Sequence, residues 1–287
     1  MICGIHSGTP RKLCALNAER PLSNIMIRSF SARSEPLKTV EEYVAAHAIS
    51  SGVRTGKQKD PGTAFSSSYE HFMGGVCIMS IEVKQFITGP IETNTYVVSD
   101  ERKKCCIVDP SSGCKAVLHY IESNALEPGA LILTHGHFDH ILGIPEVLKK
   151  FPAIPLWVHP LDIDLVRRAD YNGSFMMGQD FAYSGPLRDL KEGEMNIGGL
   201  ECTVLHIPGH SPGGCALIFD GHCLAGDSLF AGSIGRADFE YSDGELLIRS
   251  IKEKLLTLPE QTVVHPGHMG RTTIGREKRA NPYTRGL

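Results

Sequence analysis

The chain has 287 residues, of which 41% are hydrophobic and 21% are charged, and its formal net charge is −3. This composition is that of a globular protein, and it excludes a disordered chain, a collagen and a coiled coil. The weak negative charge argues against nucleic acid as a partner, and no apolar run is long enough to cross a membrane. At roughly 150 residues per domain, the length allows one or two domains.

Residues 1–79 differ in composition from the rest of the chain. Residues 1–34 contain five Arg or Lys and one acid, and residues 28–33 resemble an organelle-import segment. Residues 38–50 predict an amphipathic helix and residues 51–68 a linker. We expect an N-terminal tail outside the fold. A disordered tail, an over-long gene start and a targeting segment are the three interpretations.

The nine cysteines are an odd number, and no two of them form a C-x-x-C motif. This pattern favours a reducing compartment over a disulfide framework. We therefore expect a cytoplasmic protein, or one in a mitochondrion or plastid if the N-terminal segment is a true targeting peptide.

The pattern from residue 80 onward predicts strands that alternate with helices. The predicted strands are residues 81–87, 95–99, 105–108, 130–134, 155–159, 201–206, 215–220, 223–225 and 261–265. The predicted helices are residues 114–123, 141–151, 161–168 and a helix that a Ser242-x-x-Glu245 capping box opens and Pro259 ends. Residues 170–186 predict a long loop of the kind that covers a site. The order suggests sheets with helices on their outer faces rather than a regular βαβ succession.

A cluster of potential metal ligands directly follows the predicted strand at 130–134, which is apolar up to Leu133. It places His135 and His137 two residues apart, so that both rings can point the same way, with Gly136 allowing a tight turn. Asp139 and His140 then begin the next helix. Imidazole and carboxylate ligands suit Zn²⁺, Fe or Mn²⁺ and argue against Cu(I) or an iron–sulfur cluster.

Four further side chains with ligand chemistry lie where predicted strands end. His210 lies in a turn rich in Pro and Gly, Asp227 follows a short strand, and His268 ends a His-Pro-Gly-His run. Asp109 ends a strand in the same style and is a candidate to support the ligands. The sequence therefore predicts a metal site formed by residues at the ends of several strands.

This series of motifs resembles the metallo-β-lactamase fold, and within it the hydrolases similar to glyoxalase II. The runs at 226–236, 272–277 and 281–283 resemble the short, single-domain branch of hydroxyacylglutathione hydrolases. The resemblance covers residues 80–283. It implies an α+β protein with a four-layer αββα sandwich, in which residues 80–287 form the catalytic domain.

The resemblance also implies a site for two divalent metal ions, with Zn²⁺ expected and Fe or Mn as alternatives. It assigns His135, His137 and His210 to one ion, Asp139, His140 and His268 to the other, and Asp227 to both. A hydroxide between the ions would attack the substrate carbonyl, with Asp139 and Asp227 as the catalytic carboxylates. If a single ion binds, Asp139 would orient or deprotonate the water.

Three other residues are candidates for substrate binding. Arg236 follows a Gly-rich loop, where it either binds a substrate anion or closes a surface ion pair. Asn94 and Tyr96 either line the pocket or pack within the first strands.

The resemblance implies hydrolysis of a thioester such as S-D-lactoylglutathione, a reaction that needs no dedicated general acid because a thiolate is a good leaving group. An Fe-dependent persulfide dioxygenase of the same fold, and a hydrolase of other esters or lactones, are the alternatives. The run from Phe230 to Arg236 resembles the hydrolase branch more. Larger glyoxalase II enzymes carry a C-terminal helical domain that helps to bind glutathione. The sequence continues only briefly after His268, so we expect that domain to be absent. Whether glutathione is the thiol of the natural substrate is therefore left open.

Overall fold

The computed structural model describes residues 80–285. The amphipathic helix predicted at 38–50 and the import-like segment at 28–33 lie outside the described residues, so the tail and the boundary at residue 80 stay predictions. Among the helices within the described range, none is long and apolar enough to span a bilayer.

The first sheet has six strands in the order β1-β2-β3-β4-β5-β6. They are β1 Ile81–Thr88, β2 Thr93–Asp100, β3 Lys104–Val108, β4 Glu127–Ile132, β5 Leu156–Val158 and β6 Arg188–Asp189. The first three strands form an antiparallel meander, and β3 to β6 run parallel. Strand β4 carries the metal-ligand motif at its carboxyl end.

The second sheet also has six strands, in the order β14-β13-β10-β9-β8-β7. They are β7 Gly193–Ile197, β8 Leu200–His206, β9 Cys215–Phe219, β10 His222–Gly226, β13 Val263–Pro266 and β14 Thr272–Thr273. Strands β10 and β13 are parallel, so their carboxyl ends lie at the same edge. A small hairpin of β11 Leu229–Phe230 and β12 Ser233–Ile234 follows β10.

Helices cover the outer faces of both sheets. They are α1 Lys115–Ser123, α2 Phe138–Ile141, α3 Ile144–Lys150, α4 Ile163–Arg167, α5 Ala169–Asn172, α6 Gly244–Ser250 and α7 Ile274–Ala280. Side chains of α1 to α4 pack on the first sheet, and those of α6 and α7 pack on the second. Short 3-10 helices occupy Pro160–Asp162 and Ser174–Met177, and a π-helical turn at Ile251–Leu255 continues α6.

The adjacent Cys105 and Cys106 show how the layers form. Successive residues of a strand point to opposite faces, so Cys106 lies in the core between the sheets and Cys105 lies beneath the helices. Both are fully buried, as the sequence predicted. The α+β class and the αββα sandwich are confirmed.

Several element boundaries differ from the sequence prediction. Asp243, not Ser242, caps α6 by accepting from the amide of Leu246, because the Ser242 hydroxyl donates to the carbonyl of His210 instead. The predicted helix at 141–151 is two helices that break at Gly143. Residues 170–186, predicted as a loop, contain α5 and a 3-10 turn, and β14 and α7 follow the strand predicted as the last.

The helix-covered face of β4 gives a test of this layering. Leu131 is fully buried, and we expect Leu131→Ala to lower the free energy of unfolding by about 2–5 kcal/mol, because it leaves a cavity. Urea denaturation measures the change. Ile87→Ala is the control, since Ile87 is 67% exposed, and it should change stability by less than about 0.5 kcal/mol. Equal effects would contradict the arrangement.

Candidate metal centre

The candidate ligands come from the ends of strands in both sheets. His135 and His137 follow β4 of the first sheet, and His210 lies between β8 and β9 of the second. Asp227 directly follows β10, and His268 follows β13, its parallel neighbour. The two sheets therefore meet at the edge where the ligands gather.

Three imidazoles form the first group, with one nitrogen atom of each within 4.8 Å of the others. His210 Nε2 lies 2.8 Å from His137 Nδ1 and 3.3 Å from His135 Nε2. Partners outside the group bind the remaining nitrogens. His210 Nδ1 is 2.7 Å from the carbonyl of Arg236, to which it donates, and His135 Nδ1 is 3.1 Å from Thr134 Oγ1. These outer bonds leave the Nε2 lone pairs of His135 and His210 directed inward.

A carboxylate and two imidazoles form the second group. Asp139 Oδ2 lies 3.1 Å from both His140 Nε2 and His268 Nε2. The Thr93 hydroxyl, from the start of β2, donates to the same oxygen at 2.9 Å and holds the carboxylate in place.

The Asp227 carboxylate lies between the two groups. Its Oδ2 is 3.6 Å from His210 Nε2 and 3.6 Å from His268 Nε2, and its Oδ1 is 3.5 Å from His140 Nε2. One carboxylate thus faces nitrogen atoms of both groups, as a ligand shared by two ions would.

Burial sets the protonation of His135 and His137. It lowers the pKa of His137 to about 3 and that of His135 well below its usual value, and neighbouring imidazoles add to the effect. Both rings are therefore neutral near pH 7, which is the form that binds metal. Burial alone would raise the pKa of Asp139, but the imidazole of His140 holds it well below its usual value.

Unpartnered polar atoms show that these residues fit cations. His140 Nε2 and Asp227 Oδ1 are buried and make no hydrogen bond to any residue of the described chain. Such atoms are costly unless another partner satisfies them. Gly267 keeps the space beside Asp227 open, because a Cβ there would lie 2.1 Å from Oδ1 and 2.8 Å from the His140 ring. Imidazole nitrogens and carboxylate oxygens that lack hydrogen-bond partners are suitable ligands for two divalent cations of borderline softness.

Two buried carboxylates hold the ligand loops from outside. Asp109 accepts from the amide and hydroxyl of Thr134, at 2.7 and 2.6 Å, and lies 3.0 Å from His140 Nδ1. This is the supporting position that the sequence suggested for Asp109.

Asp162 ties the two loops that carry the first group. It is fully buried and accepts from the amide of Gly136, at 2.9 Å, in the first loop. In the His210 loop it accepts from the Ser211 hydroxyl at 2.8 Å and from the Gly213 amide at 2.5 Å. Gly136 itself is needed for close packing rather than for a tight turn, because a Cβ would lie 2.6 Å from Leu165 Cβ.

The three candidate substrate residues have partners within the protein. Asn94 is 1% exposed, and its amide group donates to the carbonyls of Pro266 and Met269. The Tyr96 hydroxyl, also buried, donates to Pro266. Through these bonds both side chains hold the loop that carries His268. Arg236 makes a two-pronged ion pair with Asp238 at the surface.

The profile of the Metallo-beta-lactamase superfamily matches residues 88–268. The chain belongs to this superfamily. Among its relatives, a probable metallo-hydrolase of Bacillus subtilis, YqgX, is 40% identical over 69% of this chain and 95% of its own length. The hydroxyacylglutathione hydrolase GloC of Haemophilus influenzae is 34% identical over 67% of this chain and 92% of its own length. At the level of its class, the chain is thus a metal-dependent hydrolase.

Solved structures agree with this membership. The BLEG-1 B3 metallo-β-lactamase superposes with a TM-score of 0.68 at 37% identity and covers 71% of this chain and 100% of its own. A di-iron-bound form of TTHA1623 superposes with a TM-score of 0.63 at 36% identity, over 70% of this chain and 100% of its own.

Sequence reasoning missed three residues that contact the ligands or their loops: Thr93, Asp162 and Tyr241. Asp162 directly precedes α4, where an Asp is common as a cap, and nothing nearby in the sequence marks it as a link to Gly213. Tyr241 lies in a polar loop before α6, and its hydroxyl is 2.7 Å from His137 Nε2. Their contacts join residues that are far apart in the chain, so no local sequence pattern predicts them.

The Asp162 contacts predict a selective loss of stability. We expect Asp162→Asn to lower the free energy of unfolding of the metal-free chain by about 1–3 kcal/mol, because an amide group would face N–H donors. Asp170→Asn is the control, since Asp170 only pairs with Arg168 at the surface. Chemical denaturation measures both variants. A change in Asp162→Asn no larger than in the control would contradict this role.

Proposed function

We propose that the protein hydrolyses thioesters such as S-D-lactoylglutathione with the help of two divalent metal ions. The observation that carries the proposal is the position of the Asp227 carboxylate, whose two oxygens face nitrogen atoms of both ligand groups. The hydroxyacylglutathione hydrolase relative supports the substrate class.

The proposed ligands are those assigned from the sequence: His135, His137 and His210 for one ion, Asp139, His140 and His268 for the other, and Asp227 for both. Zn²⁺ is the proposed metal, and Fe or Mn would suit the same donors, as the di-iron relative indicates. When bound, the ions would lower the pKa of water and polarise the substrate carbonyl.

The chain's own residues orient this chemistry. Thr93 holds Asp139 so that its carboxylate faces His268, where it also can accept a proton from water.

The Phe239 ring lies 4.8 Å from the His137 ring and 5.9 Å from the His210 ring, and it forms an aromatic wall beside the first group. We assign to this wall the contact with the acyl group and the exclusion of bulk water. The leaving thiolate needs little protonation.

Arg236 keeps its proposed role as a partner for a substrate anion. Its guanidinium pairs with Asp238 and lies 4.9 Å above the Phe239 ring, beside the aromatic wall. An anionic group of the substrate would have to replace Asp238 at this surface position, where an exposed ion pair contributes at most about 1 kcal/mol.

The proposed partner is therefore a small thioester or ester rather than a nucleic acid. The six cysteines within the described residues are all free and buried, which supports a reducing compartment. We propose the cytoplasm, or an organelle if the N-terminal segment is a targeting peptide.

The second candidate is an Fe-dependent persulfide dioxygenase, which would use part of the same His and Asp set. The di-iron-bound relative supports iron as a metal for this fold, although it holds two ions and the dioxygenase would hold one.

Hydrolysis by the zinc-loaded full chain tests the proposal. We expect release of thiol from S-D-lactoylglutathione, and a loss of about 10³-fold or more in Asp227→Ala and His137→Ala, since each removes a ligand that the chemistry needs. Asp170→Ala, at an exposed position, should keep wild-type activity. The readouts are thiol release and bound metal per chain.

Full activity in Asp227→Ala or His137→Ala would refute the site assignment. Oxygen consumption with glutathione persulfide, one Fe per chain and no thioester hydrolysis would favour the dioxygenase. Hydrolysis of other esters or lactones without S-D-lactoylglutathione would leave the site in place and change the substrate.

A further inference from the structure

The Tyr241 hydroxyl has two neighbours that determine its hydrogen bonds. It lies 2.7 Å from His137 Nε2 and 3.2 Å from the main-chain carbonyl oxygen of Tyr171. A carbonyl oxygen only accepts, so the hydroxyl donates its proton to Tyr171 and must accept from His137. His137 therefore carries its proton on Nε2.

This proton position leaves the Nδ1 lone pair of His137 free toward the ligand group. Nδ1 faces His210 Nε2 at 2.8 Å, and the carbonyl of Arg236 already directs the His210 proton outward. Without the Tyr241 hydroxyl, either nitrogen of His137 could carry the proton, and one of the two forms blocks the atom that faces the site.

The surroundings of Tyr241 keep its hydroxyl in place. Its ring stacks on Phe239 at 5.7 Å and meets the Tyr171 ring at 4.7 Å. The next two residues are tied to the His210 loop, because the Ser242 hydroxyl donates to the carbonyl of His210 and the Asp243 amide donates to the carbonyl of Gly209. The segment that carries Tyr241 is therefore held against the ligand loop by hydrogen bonds.

We propose that Tyr241 is a positioning residue that fixes His137 with Nδ1 toward the metal, and so raises the affinity of the His135, His137 and His210 group for its ion. The inference rests on the metal binding of the proposed function but not on its substrate. Hydrogen-bond partners of ligating histidines typically change metal affinity by about 10–100-fold.

The test compares Tyr241→Phe with wild type by competition of Zn²⁺ against a chromophoric chelator, in the full chain and without substrate. We expect one of two ions to bind about 10–100-fold more weakly, with the other unchanged, because only the first group loses its hydrogen bond. Tyr171→Phe is the matched control. Tyr171 supplies a main-chain oxygen that this change retains, so it should bind both ions as wild type does.

Two further readouts separate positioning from a structural role. The Tm of the metal-free chain should stay unchanged in Tyr241→Phe, and the visible absorption of the Co²⁺-loaded chain should change in that variant alone. Wild-type affinity at both ions, or an equal loss in Tyr171→Phe, would overturn the inference. A wild-type chain that binds metal but does not cleave thioesters would overturn the proposed substrate and leave the role of Tyr241 standing. A chain that binds no metal would overturn both.

Discussion

The facing nitrogens of His137 and His210 are the constraint on which the rest of the site depends. They lie 2.8 Å apart, and outer hydrogen bonds to Tyr241 and to the carbonyl of Arg236 direct both protons away from the gap. Two lone pairs this close repel each other unless a positive charge lies between them or beside them. Burial keeps the His137 ring neutral near pH 7, so a proton on that ring does not supply the charge. A metal cation would supply it, and it would also satisfy Asp227 Oδ1 and His140 Nε2, which are buried and make no hydrogen bond in the described chain.

The fold places these groups together by means of its two sheets. Parallel strands β3 and β4 end beside each other in one sheet, and β10 and β13 do so in the other, so ligand loops from both converge at one edge. Two buried carboxylates then fix the loops: Asp109 binds Thr134, next to the first ligand, and Asp162 binds both the Gly136 and the Gly213 segments. These hydrogen bonds hold the ligand loops from outside and do not involve the nitrogen and oxygen atoms that face inward. Those atoms therefore remain available to bind metal.

The part of the fold and of the site that could be predicted is the part that local sequence patterns determine. The spacing of His135 and His137 at a strand end, and the opposite faces of Cys105 and Cys106, follow from the alternation of a strand and need no tertiary information. The resemblance to a known family, rather than local pattern, joined the distant His210, Asp227 and His268 to the motif. The contacts of Asp162 and Tyr241 could not be predicted, because each pairs segments whose proximity only the packed fold creates. The prediction that Ser242 caps the helix was wrong for the same reason, because its hydroxyl donates to the carbonyl of His210 in a distant loop.

We infer that the two ligand groups form one site for two ions, with Asp227 shared between them. Titration of the metal-free full chain with Zn²⁺, followed by elemental analysis of the saturated protein, tests it most directly. We expect two tightly bound ions per chain, and weaker binding of both ions when Asp227 is replaced by Ala. A wild-type chain that saturates at one ion, or an Asp227→Ala variant that retains two ions with unchanged affinity, would contradict it.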